Sequence, residues 1–114
     1  MTLKEIKDIL RAEVLTTNCD MSISVVRGCS SDLMSDVLAF STPGALLITG
    51  LTNEAVIRTA AVANIKAIVF VRGKKPREEI IALAGEKKIP LLATNLTMFE
   101  TCGRLYEKGL RGSP

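Results

Sequence analysis

Histidine and tryptophan are both absent from this chain of 114 residues, which carries one tyrosine and three phenylalanines. Without histidine it lacks the commonest general base at neutral pH and the commonest metal ligand. No catalytic residue, metal or cofactor is expected. So few aromatics leave no platform for stacked bases, and the core must be built from Ile, Leu, Val and Ala. The three cysteines, Cys19, Cys29 and Cys102, are odd in number and never form Cys-x-x-Cys. Lys4, Glu5, Lys7 and Asp8 interrupt the apolar residues at the N-terminus, so there is no signal-like h-region. The expectation is a cytoplasmic protein with reduced thiols. No apolar run reaches the roughly 18 residues of a membrane span. Fifteen basic and twelve acidic residues give a net charge of +3 with no basic stripe, so neither nucleic acid nor membrane is an expected partner.

What is present is a repeat. Ala45-Leu-Leu-Ile-Thr-Gly50, Ala67-Ile-Val-Phe-Val-Arg-Gly73 and Pro90-Leu-Leu-Ala-Thr-Asn95 open at near-equal spacing, and each runs into a helical pattern. Apolar β-formers without alternation need cover on both faces, as strands of a parallel sheet receive from crossover helices. The fold class is therefore α/β, a small mostly parallel sheet of βα units covered by helices, preceded by a short N-terminal helix and short strands. At this length it is one domain, predicted over residues 1–110, with 111–114 as a flexible tail.

Local signals fill in the rest. Thr2-Leu-Lys-Glu5 is a capping box with Met1 placed to staple onto Ile6, and the helix it opens ends near Arg11. Glu13–Thr16 predicts a brief strand, and Ser22–Cys29 a second one ending at Gly28. Ser30-Ser31-Asp32 supplies N-cap chemistry for a helix through Ala39 with Leu33, Met34, Val37 and Leu38 as its apolar stripe. The helix pattern Glu54–Ile65 is apolar almost all round, so part of it needs cover from another helix or from a second copy of the chain. A homodimer is the expectation. Pro76 stands at the first position of the next helix, with Glu78 and Glu79 in its first turn and Lys87 and Lys88 in its last. Thr97-Met-Phe-Glu100 is a second capping box, opening a helix with Met98, Phe99, Cys102, Leu105 and Tyr106 inward and Gly103 marking a close approach.

From Val71 the chain reads Val-Arg-Gly-Lys-Lys-Pro-Arg-Glu-Glu-Ile-Ile-Ala-Leu-Ala-Gly-Glu-Lys-Lys-Ile-Pro-Leu-Leu-Ala-Thr-Asn-Leu-Thr-Met-Phe-Glu. This resembles the DRTGG domain and, more distantly, the N-terminal domain of HPr kinase/phosphorylase. In those families a strand ending in Arg/Gly leads through a Pro-Glu-Glu helix to Ile-Pro-Leu-Leu and a Thr-capped last helix. The name-giving Asp-Arg-Thr-Gly-Gly would fall at Gly50-Leu51-Thr52-Asn53-Glu54, where only Thr52 matches. The resemblance implies an accessory or regulatory domain of the kind fused to nucleotide-sensing CBS pairs, an acyltransferase or a kinase, here in standalone form. No phosphate-binding Gly-x-x-x-x-Gly-Lys-Ser/Thr occurs.

In open parallel sheets ligands bind beyond the carboxyl ends of the strands. Gly50, Thr52, Asn53, Arg72, Gly73, Lys74, Thr94 and Asn95 converge there, with hydroxyls, helix N-termini and cationic side chains suited to a phosphate or carboxylate. The expected function is a non-enzymatic regulatory or ligand-sensing module that binds a small anion, a nucleotide or phosphorylated metabolite, and docks on a separately encoded enzyme. One alternative is a small phosphotransfer or hydrolytic enzyme using Asp32, Asp36 or Cys29. In it Cys29, just ahead of a helix, would have a lowered pKa, and Asp32 and Asp36 would act as an acid/base or metal pair rather than as a solvated face. The other is a protein–protein adaptor without a small ligand.

Overall fold

The computed structural model describes residues 1–114. The elements in chain order are α1 (Leu3–Leu10), β1 (Glu13–Val14), β2 (Arg27–Ser30), α2 (Met34–Phe40), β3 (Leu46–Thr49), α3 (Glu54–Val62), β4 (Ala67–Phe70), α4 (Glu78–Glu86), β5 (Leu91–Ala93), α5 (Met98–Glu107) and β6 (Arg111–Gly112). They build one six-stranded sheet in the order β1-β5-β4-β3-β2-β6. Every pairing is parallel except that of β1 with β5.

Each residue of β3, β4 and β5 is buried, and the strand period of two divides them between two cores. Leu47, Ile68 and Leu91 lie in register and face α2, α3 and α4, meeting Val37, Val56, Ile57, Ala60, Ile80 and Ala84. Ile48, Val69 and Leu92 form the next row and face the other way, onto Leu3, Ile6 and Leu10 of α1 and Leu105 of α5. Four consecutive parallel strands with right-handed crossovers put all three intervening helices on one face. The opposite face is left to α1 and α5.

The capping box of α1 forms as expected: the Glu5 amide donates to Thr2 Oγ1 at 3.1 Å, and the Thr2 amide to Glu5 Oε1 at 3.0 Å. Arg11 closes the helix in the left-handed conformation, at φ 50°.

Several expectations need correction. β2 begins at Arg27 and continues past Gly28 to Ser30. A Cβ at Gly28 would come within 2.8 Å of Leu110 Cδ2, so this glycine admits Leu110 against the sheet. The predicted tail contributes Arg111–Gly112 as β6, paired with Arg27 and Gly28, and the Arg111 guanidinium lies 4.2 Å from the Tyr106 ring centre. Pro76 stands ahead of α4, which starts at Glu78 behind Arg77. On α5 only Thr101 and Leu105 are buried; Phe99 and Tyr106 face outward, and a Cβ at Gly103 would meet nothing. On α2 only Val37 is buried. α3 packs between α2 and α4, so the surplus apolar surface lies instead on Leu33 just ahead of α2, on Leu38 and Phe40 within it, and on Val62 at the end of α3.

The bonds from the Thr2 amide and then the Thr2 hydroxyl lower the Glu5 pKa below its ordinary 4.5. This contribution to stability is complete above 4.5 and disappears as pH falls through the lowered folded value. In urea melts between about pH 5 and pH 3, the wild-type chain should lose more stability than Glu5→Gln, which keeps a capping side chain without the titration. Equal losses would contradict the assignment.

Candidate functional site

The carboxyl ends of β2, β3, β4 and β5 lie side by side along one rim of the sheet. Pairing continues beyond the strands: the Ser31 amide donates to the Ile48 carbonyl at 3.1 Å, Val71 to Thr49 at 3.1 Å and Thr94 to Phe70 at 2.9 Å. The segments following each strand therefore leave the sheet at one level, and three contacts knit them together.

The first is centred on Gly50. Its amide donates to Asp32 Oδ1 at 2.7 Å, and the Thr49 hydroxyl donates to the same oxygen at 3.0 Å. Asp32 follows β2, so its carboxylate ties the β2 tip to the β3 tip. Its neighbour caps nothing more than a turn: Ser31 Oγ accepts from the Leu33 amide, and α2 begins after Leu33 without a side-chain cap. The Ser-Ser-Asp pattern looks like a helix cap, and the structure uses its acid as a strand-to-strand clamp instead. Asp36 sits on α2, and no group of three or more His, Cys, Asp or Glu residues is placed to hold a metal ion.

The second contact brings Arg72 to the other side of Gly50. A Cβ on this glycine would be 3.1 Å from an Arg72 Nη and 3.4 Å from Asp32 Oδ2, so the guanidinium and the carboxylate flank Gly50 closely, and a side chain there would press on the guanidinium. Arg72 is in the left-handed region at φ 59°, followed by Gly73 at φ 69°. For a non-glycine residue that conformation costs about 1–2 kcal/mol. It is held by amide bonds from Arg72 to the Leu96 carbonyl and from Gly73 to the Thr94 carbonyl, both 2.8 Å. Neither Arg72 nor Lys74 takes part in an ion pair, whereas Lys75 bonds Glu13 at 2.7 Å.

The third joins β4 to β5 at Gly73, where a Cβ would lie 2.9 Å from Asn95 Oδ1. Of the expected site residues, the structure thus brings Gly50 and Arg72 together, and Gly73 and Asn95. Asn53 is occupied as the N-cap of α3, its Oδ1 accepting from the Val56 amide at 3.3 Å, but the amides of Glu54 and Ala55 in that first turn have no intrahelical acceptor. Thr52 is half-buried and Lys74 exposed. Thr94 is not available to a ligand: at 2 % exposure its hydroxyl donates to the Leu10 carbonyl at 2.8 Å and accepts from the Leu96 amide. The amides of residues 72–74 are likewise spent on backbone carbonyls. Arg72, Lys74 and a helix N-terminus face outward, a combination that attracts an anion; of the nearby carboxylates, Glu54 in that first turn is paired with Arg58 and Asp32 is engaged by Gly50 and Thr49.

Cys29 does not have the lowered pKa its position suggests. It lies on β2, and burial, followed by the Asp36 carboxylate, pushes its thiol pKa up. That is the opposite of an activated nucleophile.

The family model described as the DRTGG domain matches residues 5–107. No curated protein matches the chain. Among solved structures it is similar to the crystal structure of the CBS and DRTGG domains of the regulatory region of Clostridium perfringens pyrophosphatase, complexed with the activator diadenosine tetraphosphate. The identity is 20 % and the TM-score 0.76, over 96 % of this chain and 47 % of that one. The chain thus spans about half the length of that structure, and the likeness is one of fold. No helix is long and apolar enough to cross a membrane.

The clamp at Asp32 gives the first test of this rim. Asp32→Ala leaves the Gly50 amide and Thr49 hydroxyl without their acceptor, and should cost about 1 kcal/mol in urea unfolding, with Asp32→Asn recovering most of it. An Asp32→Ala chain as stable as the wild type would mean that the carboxylate does not join the two strand tips.

Proposed function

Since the chain belongs to the DRTGG domain family, we propose that it is a regulatory, ligand-sensing module without catalytic activity, which binds a small anion at the carboxyl rim of its sheet. The observation that carries this reading is Arg72. A strained arginine in no ion pair is held against a side-chain-free Gly50, in the segment that leads into α3. Strain of this kind persists where surrounding structure enforces it, and clusters at ligand clamps. The guanidinium fork suits a phosphate or carboxylate, and the α3 amides add donors. The ligand class is a nucleotide or phosphorylated metabolite. The similar pyrophosphatase region, complexed with a nucleotide activator, supports that class and a regulatory role.

The output would pass to a separately encoded enzyme on which the module docks. The chain itself would act as a homodimer through the apolar side chains on the α2 side. Phe40 at 69 % and Val62 at 74 % exposure are far more open than core residues, with Leu33 and Leu38 more than half exposed as well. Burial of such a patch against a second copy would remove that apolar area from water.

Thermal-shift and turnover assays with AMP, ADP, ATP and inorganic phosphate test the ligand reading. At least one of these should raise the melting temperature by mass action and emerge chemically unchanged. Arg72→Asn, which tolerates the left-handed backbone, should abolish the shift without lowering the melting temperature of the free chain. Steady product formation lost in Asp32→Ala would replace the module with an enzyme, and the absence of any shift would favour a ligand-free adaptor. Light scattering tests assembly: the wild-type mass should be twice 12.3 kDa and fall to the monomer value in Phe40→Glu. A monomeric wild-type chain would remove the role given to α2.

A further inference from the structure

A second cationic recess adjoins the rim on the α1/α5 side of the sheet. It is a cavity of about 270 Å³ lined by Leu10, Arg11, Thr94, Asn95, Leu96 and Arg104. Its walls are fixed by bonds already described: the Thr94 hydroxyl pins the β5 tip to the last carbonyl of α1, so the left-handed cap residue Arg11 is carried to the segment linking β5 and α5. Across the cavity Arg104 is oriented by Glu100, whose Oε2 lies 3.0 Å from Arg104 Nε. That bond uses Nε and leaves the two Nη groups without a partner. Arg11 takes part in no ion pair. Two guanidinium side chains therefore line a recess together with Leu10 and Leu96, and none of its lining residues is acidic. Asn95 belongs both to this cavity and to the rim, since its Oδ1 leans on Gly73 next to Arg72.

We propose that this cavity is a second phosphate subsite, continuous with the Arg72 rim through Asn95, and that the ligand carries two or more phosphate groups spanning the tips of β4 and β5. The proposal builds on the rim reading but adds residues that the rim does not contain, Arg11 and Arg104. A single phosphate would use the rim alone. A polyphosphate would engage both, gaining affinity because its second group arrives at high effective concentration.

Calorimetric titration with inorganic phosphate and with inorganic tetraphosphate separates these contributions. In the wild type, tetraphosphate should bind at least about tenfold tighter than phosphate. Arg11→Asn, compatible with the left-handed cap, should remove most of that gain and leave phosphate binding as it was; Arg104→Gln should do the same. Lys108→Gln, an exposed cation outside both sites, serves as control for general polyanion attraction and should change neither. Melting temperatures verify that each variant is folded. Tetraphosphate binding that survives both arginine substitutions, is no tighter than phosphate, or falls equally in Lys108→Gln overturns the subsite while the rim reading stands. If Arg72→Asn leaves phosphate binding intact but Arg11→Asn still weakens tetraphosphate, the rim reading fails and the cavity alone is the anion site. Absence of binding by either anion overturns both.

Discussion

Three short strands whose every side chain is buried impose the rest of the architecture. β3, β4 and β5 cannot expose either face to water, and Leu47, Ile68 and Leu91 on one side are as fully enclosed as Ile48, Val69 and Leu92 on the other. Removing the side chain of Phe70 at the centre of this core would cost about 3–5 kcal/mol. Because β2, β3, β4 and β5 are added to the sheet in one direction, right-handed crossovers send the three helices between them to one face, and the second face is closed by α1 and α5. The same parallelism aligns the carboxyl tips, and only such alignment brings Asp32, Gly50, Arg72 and Asn95 from four separate segments onto one edge.

The rim is a joint, and the recognition surface proposed for this chain lies on it. Asp32 ties β2 to β3, Gly73 receives Asn95, and the Thr94 hydroxyl anchors the β5 tip to α1. These contacts consume most of the donors that strand ends offer, which is why the remaining capacity for an anion lies in the guanidinium of Arg72, in Lys74 and in the first turn of α3. Regulation by a ligand at such a joint has a direct physical route: whatever pulls on Arg72 pulls on the bonds from residues 72 and 73 to the segment that leads into α5.

The repeated apolar runs were enough to read the fold, because double-sided burial and near-equal spacing leave few alternatives to a parallel sheet. The Thr2 and Thr97 caps were also legible from their Thr-x-x-Glu patterns, although at Thr97 only the hydroxyl half of the box forms and Glu100 turns to Arg104 instead. What was not legible depended on contacts across the sequence. Nothing near Asp32 indicates that its acceptor role is to Gly50 and Thr49 rather than to α2. Leu110 finds its place only because Gly28, far away in the chain, has no side chain, and this turns an apparent tail into β6. The outward orientation of Phe99 and Tyr106 follows from how narrow a stripe of α5 the sheet can cover. Residues such as Gly50, Arg72, Gly73 and Asn95 could be placed on the rim from strand ends alone, whereas the burial of the Thr94 hydroxyl required knowing where α1 ends.

The proposed regulatory role rests on an anion held between the first turn of α3 and the Arg72 guanidinium. An NMR titration of the isotopically labelled chain with inorganic phosphate tests it most directly. Saturable shifts are expected at the amides of Glu54 and Ala55 and at the side-chain Nε–H of Arg72, with the strands below unchanged. Saturable shifts confined to regions away from these groups, or no saturable shift anywhere, would contradict it.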